Sequence, residues 1–295
     1  MHTLLLAAFS LLLPAPAAAQ DPAPPPAEEL VDEFWQVLEI AGQPIGYGHQ
    51  SVHRFEEDGA ERYVVRQGGE FRFGRLGGEV QIAVSMEITE DGAGRILRAA
   101  SVLDMAQNPQ RFQGVVADGW LRGASTHMGR DTPVELEWDE DVLSMRSIEE
   151  LTMMLIEEGE GATASFLNFD PTIQQLYAME IEIGPETELE HRGELVPCTL
   201  VWTETELLPG VRSSSWVDAE GRALRSAQNL MGGVEMIAVL APREEALAAL
   251  QHDGPLRDLF ADTVVSSDRR IARPRQVEGG LYRLKLRDPA LGLPD

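Results

Sequence analysis

Two histidines, His49 and His53, stand four positions apart near the start of the chain. On a helix this spacing would bring both rings to one face and within reach of one metal ion. On a strand the two positions are about 13 Å apart, which is too far for shared coordination. The surrounding residues favour a strand, so we expect the two histidines to form part of a strand surface rather than a metal site. They share a strand face with Tyr47 and Phe55, where they could line a groove that binds the polar head of a ligand.

Residues on two strands are therefore candidates for lining a ligand groove. The second strand is an alternating segment whose opposite face carries Ala178 and Glu180. The candidate groove residues are Tyr47, His49, His53, Phe55, Tyr177 and Met179. The simpler alternative is that both histidines are partly exposed strand residues that bind nothing.

No catalytic constellation accompanies these residues. Cys198, the single cysteine, alternates with Val196 and Leu200 on an apolar strand face. This pattern is typical of a buried structural thiol rather than of a nucleophile at a helix N-terminus. The acids at 139–141 lack the spacing of a calcium loop, and the glutamates at 149–160 indicate a solvated helix face. We therefore predict no catalytic residue, no metal and no cofactor.

The net charge restricts the classes of partner. The 295 residues include 49 acidic and 24 basic side chains, for a formal charge of −25. Such a chain repels phosphate, so we expect no nucleic-acid partner. Hydrophobic residues make up 43% of the sequence, which is enough for a folded core. One cysteine excludes an intrachain disulfide.

The first residues have the pattern of a targeting signal. An apolar run at 3–13 ends at Pro14 and is followed by alanines at 17–19. This pattern predicts a secretory signal peptide at 1–19, followed by a Pro-rich linker at 20–33. The apolar run is shorter than the roughly 20 residues that a membrane span needs. We therefore expect an exported protein, periplasmic or secreted, with no integral membrane segment.

From residue 34 onward the hydrophobic pattern has a period of two. Val80, Ile82 and Val84 alternate with Gln81 and Ser85, as in a strand with one buried face. Repeated Asp-Gly and Gly-Gly turn signals separate such segments and indicate antiparallel strands. The pattern predicts a mostly β fold, namely a curved antiparallel meander or half-barrel covered by short helices. The helices are expected to begin near 147, 242 and 255.

A short motif occurs twice and predicts two related halves. Asp91, Gly94 and Arg95 recur as Asp218, Gly221 and Arg222 in a similar strand–turn–strand setting. The predicted units are a first β-meander half at 34–146, a helix plus second half at 147–250, and a C-terminal helix, strand and tail at 251–295. The alternative is a coincidence of turn chemistry.

Three segments carry a resemblance to a known group of proteins. They are WQVLEIAGQPIGYGHQSV, FLNFDPTIQQLYAMEIEI and WVDAEGRALRSAQNLMGGVEMIAVLAPREEAL. Over about residues 34–290 the chain resembles the non-catalytic N-terminal region of exported bacterial transglutaminase-like proteins, which in turn resembles the LolA-like fold of lipoprotein carriers. The resemblance implies a curved sheet with an apolar groove for acyl chains. It also implies a strand at 281–286 ahead of a catalytic domain, whose cysteine–histidine–aspartate machinery we expect to be missing here.

These observations predict a function without enzymatic activity. The leading hypothesis is an exported binding or accessory module that holds a lipid or other apolar small molecule in a groove. One alternative is a detached interaction domain of a transglutaminase-like cysteine peptidase system, which would bind a protein partner. The other alternative is a hydrolase that uses paired carboxylates.

Overall fold

Antiparallel strands make up most of the chain, as the sequence predicts. The computed structural model describes residues 27–75, 78–105, 108–230 and 234–251. The first eight strands are β1 (Glu29–Ile40), β2 (Gln43–Glu57), β3 (Ala60–Arg75), β4 (Gly78–Asp91), β5 (Ile96–Met105), β6 (Asn108–Ala117), β7 (Trp120–His127) and β8 (Arg130–Glu137). Helix α1 (Met145–Glu158) follows, and then come β9 (Thr163–Asp170), β10 (Gln175–His191), β11 (Glu194–Thr205), β12 (Arg212–Val217), β13 (Ala223–Leu230) and β14 (Val234–Ala241). The described chain ends with helix α2 (Arg243–Ala248) and a 3-10 turn (Ala249–Gln251).

All of these strands belong to one curved, open, 14-stranded antiparallel sheet. Their spatial order is β8-β7-β6-β5-β4-β3-β2-β1-β14-β13-β12-β11-β10-β9. The strands β1–β8 form one run of consecutive neighbours, and β9–β14 form a second run. The two runs join where β1 pairs with β14, with Trp35 opposite Ala241. This architecture confirms the predicted fold class.

Helix α1 follows one edge strand in the chain and precedes the other, and it touches both runs. The Ser144 hydroxyl caps the helix by accepting a hydrogen bond from the Ser147 backbone N–H at 3.2 Å, which satisfies a free donor of the first turn. Leu155 packs in one apolar cluster with side chains of β9–β12. From the first run, Gln50 on β2 reaches Glu149 on the helix. The sheet therefore curves around α1.

The end of the second run also packs against the first run. The ring of Phe169 on β9 lies 6.0 Å from that of Phe112 on β6 and 5.3 Å from that of Trp138. Leu121 on β7 is fully buried in the same cluster. Burying each such side chain stabilises the fold by about 1.5–3 kcal/mol. These contacts fix the curvature of the sheet at the side opposite the β1–β14 junction.

The two faces of the sheet carry different helices. Successive strand residues point to opposite faces. Phe34 faces α1 across a cavity, whereas its neighbour Trp35 packs in a cluster with Ala246 of α2. We call these surfaces the α1 face and the α2 face.

Several predicted boundaries differ from the structure. β1 begins at Glu29, so residues 29–33 belong to the sheet rather than to the predicted linker at 20–33. Helix α1 begins at Met145 rather than at Ser147, because Ser144 is its cap. Pro242 is the residue before α2 rather than its first residue. The predicted signal peptide at 1–19, the short helix at 255–261 and the strand at 281–286 lie outside the described residues.

Both copies of the repeated motif form the same turn. Asp91 Oδ1 accepts hydrogen bonds from two backbone N–H groups at 2.9 and 3.0 Å, and its Oδ2 accepts one from Arg95 Nε at 2.8 Å. Asp218 makes the same three bonds at 3.1, 2.9 and 2.9 Å, the last with Arg222 Nε. Each turn joins the fourth and fifth strands, counted from β1 and from β9. The motif thus occupies equivalent places in the two runs, while the limits of the two halves stay a prediction.

Each turn contacts α1 through a glycine. Gly94 and Gly221 have φ angles of +80° and +83°, which glycine adopts without steric cost. A Cβ at Gly94 would collide with Ser147 Oγ, and a Cβ at Gly221 would lie 3.0 Å from Met153 Sδ. Helix α1 is therefore held between the two turns.

We expect Gly94→Ala to lower the free energy of unfolding more than Gly119→Ala does. Gly119 has a φ of +72°, but nothing lies within 4 Å of a Cβ built there. Both substitutions incur the left-handed cost of about 1–2 kcal/mol. Only Gly94→Ala adds overpacking against α1, which costs about 1–3 kcal/mol more. Urea unfolding followed by circular dichroism measures the difference, and equal losses would contradict a close contact between turn and helix.

Candidate functional site

A cavity of about 710 Å³ lies between α1 and the sheet, and we call it the helix cavity. Its walls come from the α1 faces of β1, β10–β12 and β14 and from the helix itself. The walls are mainly apolar, and the residues that form them include Phe34, Met153, Met179, Ile181, Val201 and Leu240. Small polar side chains, Thr203 and Ser215, interrupt this surface. The composition is that of a site for an apolar molecule.

Methionines give part of the helix cavity an adaptable wall. Met153 and Met154 approach from α1, and Met179 approaches from β10. Methionine side chains are unbranched and polarizable, so they adjust to apolar partners of different shape. The cavity is therefore suited to a flexible ligand.

Charged residues line the helix cavity where it meets solvent, and we call them the cavity mouth. Asp32, Glu150, Glu220 and Arg222 are exposed, whereas Glu149 is half-buried. The mouth thus contains four carboxylates and one guanidinium among the described lining residues.

Glu149 is the half-buried carboxyl of the cavity mouth. Its Oε1 accepts a hydrogen bond from Gln50 Nε2 at 2.8 Å, and the side-chain oxygen of Gln50 in turn accepts one from the side-chain amide of Gln67. Burial raises the pKa of Glu149 above its usual range. The hydrogen bond from Gln50 opposes this rise, whereas the charges of Asp32 and Glu90 add to it. A carboxyl of this kind in a cavity is a candidate functional group.

A fully buried carboxylate, Glu90, lies near the same end of α1. Glu90 is 0% exposed, and its Oε1 accepts a hydrogen bond from Arg146 Nε. The guanidinium of Arg146 also donates to Glu150 at 2.9 Å and lies 4.2 Å from the ring centroid of Tyr63. Breaking such a buried ion pair costs about 3–5 kcal/mol. The pair therefore orients α1 against β4.

The structure separates the predicted groove residues. Met179 lines the helix cavity. Tyr177 lies on the same strand, and its hydroxyl accepts a hydrogen bond from Asn168 Nδ2 at 2.7 Å. Tyr47 lies on the opposite, α2 face, in the cluster with α2. Phe55 is buried. The structure therefore does not bring the six predicted residues together in one groove.

The two histidines also lie on the α2 side of β2, each beside a carboxylate. His49 stacks on Trp35 at a centroid distance of 4.0 Å, and its Nε2 lies 2.9 Å from Glu33 Oε1. His53 Nδ1 lies 3.7 Å from Glu28 Oε2. His49 borders an open depression of about 590 Å³ over β2–β7. The histidines therefore belong to a different surface from Met179.

The sequence reading missed Glu149. Its assignment to a solvated helix face is wrong, because the side chain is half-buried and bonded to Gln50. One signal was present in the spacing: Glu149 precedes Met153 by four residues, so both occupy one face of α1. A carboxylate on the apolar face of a helix indicates a cavity or a buried partner. Glu149 has both, because it borders the helix cavity and is bonded to Gln50.

Other candidate chemistry finds no support in the described ranges. Cys198 is buried, as predicted, and burial and the charge of Asp218 raise the pKa of its thiol, which disfavours the thiolate. No group of three or more His, Cys, Asp or Glu side chains in these ranges could hold a metal ion. None of the helices found there has the length and apolar character required to cross a membrane.

We expect Glu149→Gln to raise the free energy of unfolding at about pH 7 and to leave it unchanged near pH 4. Because the pKa of Glu149 is raised in the folded chain, the folded state binds this proton more tightly than the unfolded state does. Stability is therefore lost as the pH rises through the range between the unfolded and folded pKa values. Glutamine removes that loss and can still accept from Gln50.

Urea titrations of both proteins across this pH range measure the effect. The matched control is Glu157→Gln, which removes an exposed charge from the same helix and should change little. A Glu149→Gln variant that is less stable than the parent at neutral pH would contradict a destabilising charge.

Comparison with known proteins finds solved structures that are similar to this chain, but it identifies no family for the chain. No protein-family model matches the chain, and no curated protein matches it. The chain is similar to a β-barrel-like protein of domain of unknown function DUF1849 from Brucella abortus, at 12% identity and a TM-score of 0.48, over 71% of this chain and 95% of that chain. It is also similar to a DUF1089 family protein from Pseudomonas aeruginosa, at 12% identity and a TM-score of 0.32, over 59% and 87% of the two chains.

Proposed function

We propose that this chain is an exported, non-enzymatic binding module that holds an apolar small molecule or lipid in the helix cavity. The observation that carries the proposal is the cavity of about 710 Å³ with mainly apolar walls. Small-molecule sites in proteins have volumes of roughly 300–1,000 Å³, apolar walls and a few polar groups that orient the ligand. The helix cavity has each of these properties.

Packing supports the proposal. Protein interiors are close-packed, and apolar side chains that face a void lose dispersion contacts on that side. Ile181 and Val201 are buried in the core, yet both also border the helix cavity. An apolar ligand in the cavity would supply the missing contacts and remove apolar surface from water.

The proposed ligand site includes only one of the two strands that the sequence predicts for the groove. On the side of the first run, the cluster of Phe112, Leu121 and Phe169 fills the space between the strands with the protein's own side chains. The space that remains lies beside α1, against β10–β12. We therefore assign the ligand to the second run and not to the predicted strand of Tyr47 and His49.

Export is supported by the sequence pattern alone. The apolar run at 3–13 and the alanines at 17–19 are those of a secretory signal peptide. The formal charge of −25 favours solubility of the body of the chain. A carrier or accessory role outside the cytoplasm agrees with both features.

We expect protein purified from its own host to carry an apolar ligand. Native mass spectrometry would show a bound mass that is released on denaturation, and analysis of the organic extract would identify its class. A protein that shows only its polypeptide mass, and that takes up no apolar dye such as Nile red, would overturn the proposal.

Thr203→Phe should reduce uptake of Nile red by about fivefold or more, because the larger side chain occupies part of the helix cavity. The matched control is Thr163→Phe, which makes the same change at an exposed position of β9. Fluorescence titration measures both affinities, and circular dichroism confirms that both variants fold. Equal affinities for the two variants would place dye binding elsewhere.

A further inference from the structure

The charges of the cavity mouth are unevenly matched. Arg222, the one cation among the described residues of the mouth, donates to Asp218 at 2.9 Å and to Glu220 at 3.3 Å. Both of these carboxylates therefore share the single guanidinium. The positive charge of Arg222 is therefore already compensated by these two carboxylates.

The arginine of α1 itself is also already engaged. Arg146 pairs with the fully buried Glu90 and with Glu150. Glu90 Oε2 is buried and has no hydrogen-bond partner within the described ranges. One arginine thus compensates two carboxylates, and a local excess of negative charge remains.

Two carboxylates at the mouth form no direct salt bridge among the described residues, although the positive charge of Arg146 acts on Glu149 from a distance. Glu149 accepts its hydrogen bond from the neutral amide of Gln50. Asp32 Oδ1 accepts one from the backbone N–H of Glu33 at 2.9 Å. Both carboxylates border the helix cavity, and the charge of Asp32 acts on Glu149. A cation placed between them would be attracted by both.

We propose that the helix cavity binds a cationic amphiphile, with an apolar tail among Met153, Met179 and Val201 and an amine or quaternary ammonium head between Asp32 and Glu149. This inference rests on the proposed function and names the class of its ligand. Near a partly buried surface the effective dielectric is lower than in water, so charges act more strongly than in bulk solvent. A carboxylate or phosphate head would instead add a further negative charge beside Asp32, Glu149 and Glu90.

The experiment compares three probes with the same tail. Dodecyltrimethylammonium, 1-dodecanol and dodecanoate are titrated below their aggregation concentrations into the folded protein, and displacement of Nile red reports binding. We expect the ammonium to bind about tenfold tighter than the alcohol, a difference of about 1.4 kcal/mol. The carboxylate should bind more weakly than the alcohol.

A double variant tests the position of the head. Asp32→Asn with Glu149→Gln should abolish the preference, so that the ammonium and the alcohol bind this variant with equal affinity. The control pair, Asp58→Asn with Glu157→Gln, removes the same net charge from exposed positions outside the cavity. It should keep the tenfold preference.

The outcomes separate this inference from the proposed function. If the alcohol binds but the ammonium has no advantage, or the carboxylate binds best, the charge assignment is overturned and the apolar site stands. Equal losses in the two double variants would show that overall charge attracts the probe, which also overturns the assignment. If none of the probes binds, the apolar site itself fails, and the inference fails with it.

Discussion

The burial of α1 between the two strand runs is the constraint on which the rest of the structure depends. The turn at Gly94 approaches the helix from the first run, and the turn at Gly221 approaches it from the second. Leu155 adds an apolar anchor against β9–β12. An open sheet of this width without the helix would expose a broad apolar face to water, which is a liability for association. The helix therefore determines both the curvature of the sheet and the position of the cavity.

The contacts of α1 differ in kind on its two sides. Towards the first run the helix uses polar groups, with Arg146 on Glu90 and Glu149 on Gln50. Such buried polar contacts are directional, so they fix orientation more than they add net stability. Towards the second run the contacts are apolar and non-directional. Because the polar side holds the helix in place, the apolar side does not collapse completely, and the helix cavity remains there.

The sequence predicted the fold better than the site. The two-residue period of the hydrophobic residues and the turn signals were sufficient to predict the strands. The repeated motif located two equivalent turns. The alternation of β2 placed Tyr47 and His49 on one face correctly, but periodicity within a strand does not reveal which face of a distant strand shares that surface. That relation depends on how the sheet curves, which is a long-range property. The role of Glu149 depends on Gln50, far away in the chain, and the transglutaminase-like resemblance stays a prediction.

The openness of the sheet follows from an asymmetry between the runs. β1 is the first strand of its run, and it pairs with β14, the sixth and last strand of the other run. A symmetric closure would therefore pair β9, the first strand of the second run, with β6, the sixth strand of the first run. Instead β7 extends the sheet at β6, and β9 packs across it through Phe169 and Phe112. Both resulting edges are blunted: Pro133 lies within β8, and Leu143 donates its backbone N–H to Leu167 of β9. Since such edges resist strand addition, the interior beside α1, rather than a sheet edge, is the place where we propose that a ligand binds.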